Sequence, residues 1–208
     1  MKTLLKTIVL ALTLTVASTA FAQQAPSGSD AAGDGTDQAA SPNSPVPFPF
    51  DGNEAEFERA KLLLSGYHGL PPKETFEETL DQPKLVVTAI ALDKNAFSMH
   101  RKHALAALGY WADAGVLRIY TQLLQDDGLR EAIHHKLILL LAKHFPGEAL
   151  GHIEPYLSHD DLQFRLTAIE AIRRIPGDKA VEALRVAKKS ETNKVALERL
   201  EKYTRIVR

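Results

Sequence analysis

The chain has 208 residues, 45% of them hydrophobic, enough apolar material for a buried core in one or two domains. It contains no cysteine, so a disulfide framework, a thiolate nucleophile and a cysteine-ligated zinc site are all excluded. A formal net charge of −1 offers nucleic acid no global attraction, and no nucleic-acid partner is expected.

Residues 1–22 have the three parts of a secretory signal peptide. Lys2 and Lys6 give a positive start, Thr7 to Val16 is apolar apart from its threonines, and Ala20-Phe21-Ala22 places small residues at −3 and −1. Cleavage after Ala22 is expected, in the bacterial manner, with delivery to the periplasm or the outside. The segment is too short and wrongly flanked for a stable membrane span, so any membrane contact is expected to be peripheral. Lipid attachment after such a signal needs a cysteine, which the chain lacks.

Residues 23–53 are a linker of Pro, Ala, Gly, Ser and Gln with four aspartates and no Lys or Arg. So little apolar surface cannot offset the entropy of ordering, and a disordered, extended segment is expected. Within it, Ser44-Pro-Val-Pro-Phe-Pro-Phe50 alternates proline with apolar residues. That pattern stiffens into a polyproline-like strand, which either rests on the domain or docks Phe48 and Phe50 in a groove.

From residue 54 to residue 208 the pattern is helical, with apolar residues recurring at i, i+3, i+4 and i+7 between short Gly, Pro and Asp breaks. No alternating run predicts a strand, so the domain is read as all-α. The breaks are periodic. From Arg101, Ile133 and Arg165 the offsets +3, +4 and +7 give Ala104, Leu105, Leu108; then Lys136, Leu137, Leu140; then Ala168, Ile169, Ile172. Second, shorter helices are predicted at Val116–Gln125, Ala149–Ser158 and Lys179–Lys189. Pro155 interrupts the middle one, which suggests that it starts late. The unit is helix, tight turn, helix, repeated about every 32 residues, and Asp126-Asp127 and Asp160-Asp161 stand where they can cap the next first helix.

Arg101-Lys-His-Ala-Leu-Ala-Ala-Leu-Gly109 and Arg165-Leu-Thr-Ala-Ile-Glu-Ala-Ile172, followed by Pro176-Gly177-Asp178, resemble HEAT repeats of the short bacterial type. The resemblance covers about 95–190, and the middle unit departs from it where Ile133 replaces the arginine. It implies an alpha-alpha superhelix: a short alpha-solenoid of about three repeats with a capping helix at each end. Leu137 to Leu141, apolar nearly all round, suits a helix enclosed by neighbours, and the stripe Leu197, Leu200, Tyr203 and Val207 suits a cap.

No residue pattern identifies a reaction, and the chain is read as a non-enzymatic module without catalytic residues, cofactor or metal, ahead of an unrecognised hydrolase or metal enzyme. His100 and His103 are three apart on one helix, and the adjacent His134 and His135 point about 100° apart, which is not a ligand geometry. Ser65, Ser98, Ser158 and Ser190 stand at turns or helix starts, outside any GxSxG or SxxK setting. In HEAT-like stacks the second helices line the concave face. Their outward residues here are Arg118, Gln122, His152, Glu154, Tyr156, Glu182, Arg185 and Lys189, a mixed-charge surface suited to a protein or peptide partner. An alternative surface is the C-terminal end. Residues 54–164 carry 11 basic and 16 acidic side chains, whereas 165–208 carry 12 and 6, a basic pole suited to anionic lipid or polymer.

Overall fold

The computed structural model describes residues 54–66 and 69–205, which lie within one compact unit. The expected signal peptide, cleavage site and linker, the Phe48/Phe50 segment and Val207 fall outside these residues. Among the described residues all regular structure is helical, with no strand. The α-helices are α1 (Glu54–Leu64), α2 (Lys73–Thr79), α3 (Pro83–Leu92), α4 (Ser98–Leu108), α5 (Ala114–Leu124), α6 (Glu131–His144), α7 (Pro146–Ile153), α8 (Leu162–Ile172), α9 (Asp178–Ser190) and α10 (Lys194–Arg205). Short 3-10 turns at Gly109–Trp111 and Glu154–Ser158 follow α4 and α7. None of these helices is long and apolar enough to cross a membrane.

The helices start and stop for local reasons. Asp113 caps α5 by accepting from the N–H of Val116 at 3.0 Å, and Asp161 caps α8 by accepting from Gln163 and Phe164. Asp126 does not cap α6. Its carboxylate accepts from the N–H of Gly128 and pairs with Lys94 at 3.0 Å, and Arg130 precedes the helix without a side-chain cap. The middle second helix also differs from expectation. It begins early, with Pro146 in its first turn, where a missing N–H costs nothing, and gives way at Glu154 to a 3-10 turn that contains Pro155. Gly177, with φ +105°, leads into α9 in a conformation that side chains with a Cβ resist.

Packing proceeds along the chain. α3 lies against α4 and α1; α4 contacts α6, α6 contacts α8, and α8 contacts α10. α5 and α7 pack on α6, while α9 packs on α8 and α10. α6 therefore has neighbours on several sides, which is why Ile133, Leu137, Ile138 and Leu141 are all at most 1% exposed on a single helix. Arg101 and Arg165, 64 residues apart, both donate to backbone carbonyls earlier in the chain, the first inside the last turn of α3 and the second in the turn before α8. Arg101 Nε reaches Ala91 O at 2.9 Å, and Arg165 Nη1 reaches His159 O and Asp160 O at 2.9 and 2.8 Å.

The crossing of α4 and α6 depends on a missing side chain. A Cβ on Gly109 would stand 2.3 Å from His144 Nε2, far inside contact distance. Gly109→Ala should therefore swing the His144 ring out and lower stability by about 1–2 kcal/mol. In a His144→Ala background the same change should become neutral or stabilising by up to about 1 kcal/mol, since alanine is the better helix former. Urea unfolding of the four proteins measures this sign reversal, and equal effects in both backgrounds would refute the contact.

Candidate functional site

The expected row of second-helix residues is dispersed over α5 (Arg118, Gln122), α7 (His152), the 154–158 turn (Glu154, Tyr156) and α9 (Glu182, Arg185, Lys189). Gln122, His152, Glu154, Glu182, Arg185 and Lys189 are exposed, and Arg118 is half-buried. Within the row the ion pair is Arg185 with Glu182, at 3.7 Å one turn apart. Most of these polar groups are thus available to a partner rather than consumed by one another.

Tyr156 is occupied otherwise. Its ring stacks on Phe164 with centroids 5.8 Å apart, and its hydroxyl donates to Leu124 O at 3.3 Å while meeting His134 Nε2 at 2.8 Å. The phenol has one proton, so with that proton on Leu124 O the imidazole is the donor to the phenol oxygen. His135 approaches Phe164 to 4.3 Å between centroids and shares a hydrogen bond with the Thr167 hydroxyl, and His159 completes the group at 4.4 Å from the same ring. Burial holds both His134 and His135 below the ordinary histidine value, and the neighbouring imidazole of His159 adds to this. The cluster joins α6, the 154–158 turn and α8, and the half-buried Tyr156 packs within it.

His100 and His103 are likewise structural. His100 Nε2 meets the Ser65 hydroxyl at 2.8 Å, and His103 Nδ1 donates to Leu64 O at 2.6 Å, tying α4 to the end of α1. Among the described residues no three His, Asp or Glu side chains converge on a point where a metal ion would sit.

A recess does adjoin the row. Ile119 and Leu123 of α5 form an apolar floor with Leu92, while Gln122, Asn95 and the Lys94–Asp126 ion pair make a polar rim. The volume is about 460 Å³, room for one or two side chains of a partner. Reasoning from the sequence included Gln122 but missed the recess. Ile119 and Leu123 read as core, and the α3–α4 turn that completes the rim comes from a different part of the chain.

The basic C-terminal end is partly neutralised. Glu170 accepts from both Arg173 and Arg174, which hold its carboxyl down to about 2, with burial opposing. Lys188 pairs with Glu201 at 3.4 Å, and Arg173 lies over the Tyr203 ring. The chain matches no family model, and no curated protein or solved structure is significantly similar to it.

Proposed function

We propose that the chain is an exported, non-enzymatic interaction module of the HEAT-like repeat type, an alpha-solenoid that binds a protein or peptide along its second helices. The observation that carries this reading is the recess beside Gln122: an apolar floor within a polar rim, opening on a row of largely unpaired polar side chains. The repeat reading draws support from the sequential contacts α4–α6–α8–α10. Export rests on the signal-like residues 1–22 alone. The alternative, a lipid- or polymer-binding basic end, has less support, since Arg173, Arg174, Arg185 and Lys188 are each paired with an acid.

The test uses a photo-crosslinking residue placed singly at Gln122, at Arg185 and, as a control, at the exposed Glu198 of α10, in an extract of the cells that make the protein. The same partner should be captured from 122 and 185 and not from 198, and Ile119→Arg should abolish capture from 122. Equal capture from all three positions, or none from 122, would sink the reading.

A further inference from the structure

A second concavity, of about 410 Å³, is lined by the first helices and shares no residue with the recess beside Gln122. Its longest wall is one face of α6, where Lys136 and Lys143 stand seven residues apart with Leu139 and Leu140 between them. At 1.5 Å per residue their backbones are roughly 10 Å apart on the same side of the helix, within reach of a common ligand. Opposite them, α4 and the turn after it supply His103, Ala106 and Tyr110. Basic groups thus alternate with apolar surface along one groove.

The balance of charge in this groove is one-sided. No acidic side chain lines it, and among the described residues neither Lys136 nor Lys143 belongs to an ion pair. Arg174 enters at the edge already held by Glu170 at 2.7 Å. On the far side Tyr110 donates to Pro71 O, and burial, with the charge of Glu74 adding to it, raises its pKa. Burial lowers the pKa of Lys136, and the charges of Lys143 and Lys102 lower it further, a strain that a bound anion would relieve. His144 also lines the groove, with its Nε2 buried against Gly109 and without a hydrogen-bond partner. His103 has its Nδ1 proton on Leu64 O, so Nε2 is its remaining nitrogen.

We propose that this groove binds a small organic anion with an apolar body, its anionic group meeting Lys136 and Lys143 and its body lying on Leu139, Ala106 and Tyr110. The half-open groove suits a small molecule rather than a folded surface, and the apolar lining between two unpaired ammonium groups selects for an amphiphile over a bare ion. The anionic group is a carboxylate or a phosphate monoester, two chemistries that the same lysines recognise.

Calorimetric titration of the full chain tests the proposal with four probes below their micellar concentrations: octanoate, octyl phosphate, inorganic phosphate and octanol. At least one of the two amphiphilic anions should bind saturably, about tenfold or more tighter than phosphate or octanol, and the stronger identifies the head group. Lys136→Gln should weaken that binding several-fold. Lys136→Glu with Lys143→Glu should abolish it, while Lys179→Glu with Lys194→Glu, the same change in charge on α9 and α10, should leave it intact. Binding of inorganic phosphate as tight as that of octyl phosphate, indifference to both Lys136 variants, or no saturable binding by any probe would each overturn it. Lys136→Gln preserves the helix, so a misfolded double variant does not hide the answer. Failure here leaves the crosslinks from Gln122 untouched, and the converse also holds.

Discussion

Leu137→Ala should destabilise the domain by about 3–4 kcal/mol, lowering its melting temperature by roughly 6–16 °C. Leu137 is 0% exposed, and its helix packs against α4, α5, α7 and α8. Transfer of the side chain out of water accounts for roughly 2 kcal/mol of that cost. The remainder is the cavity, which cannot collapse when the surrounding helices are fixed by their own neighbours. Ile138 and Leu141, both 0% exposed, hold the walls open. Val195→Ala on α10, a truncation of two carbons rather than three at a side chain 47% exposed, should cost under about 0.5 kcal/mol. Urea unfolding at neutral pH gives both numbers. Similar losses at the two positions would mean that α6 is not the centre of the core.

The helical character was readable because burial imposes a period. Ala196 and Leu200 are buried on α10 while Lys194, Glu198, Arg199 and Lys202 are exposed, as a one-sided contact requires. What local sequence could not supply was direction and partner. Tyr156 was placed on the outer row by counting 3.6 residues per turn through Ser158. After Ile153 the chain winds more tightly, as a 3-10 turn, and about 20° more per residue brings the ring onto Phe164. Asp126 failed as a cap because α6 begins only at Glu131, which puts Arg130 at the N-cap position, while Asp126 closes the preceding turn on Gly128 and pairs with Lys94. The groove on the first helices was hidden altogether. Lys136 and Lys143 look like ordinary solvating residues until α4, some thirty residues earlier, forms the opposite wall of the groove that they line.

Arg165→Met should cost about 2–3 kcal/mol at pH 7, and most of that cost should disappear on acidification. Arg165 Nε donates to Glu191 at 2.8 Å, with the two side chains 17% and 5% exposed, and its Nη1 serves the carbonyls of His159 and Asp160. Glu191 in turn accepts from the N–H groups of Thr192 and Asn193, so one ion pair fastens the turn before α8 to the link between α9 and α10. Removing the guanidinium strands a nearly buried carboxylate, which is the costly way to break such a pair. Burial pushes the Glu191 carboxyl up, but Arg165 and the two backbone N–H groups outweigh it and hold the group below its ordinary value of 4.5. A depressed folded-state value means that the unfolded chain takes up its proton first. The contribution of the pair is therefore complete above pH 4.5 and fades as the pH falls from there through the folded-state value. In the variant, burial acts unopposed by Arg165, the carboxyl protonates more readily, and the penalty of an unpaired charge is lifted. Unfolding of wild type and variant by urea at pH 7 and near pH 3.5 should show the difference shrinking to about 1 kcal/mol, the residue of lost packing and of the two carbonyl bonds. A difference that stays constant between the two pH values would assign the whole effect to those neutral contacts and none to the charge on Glu191.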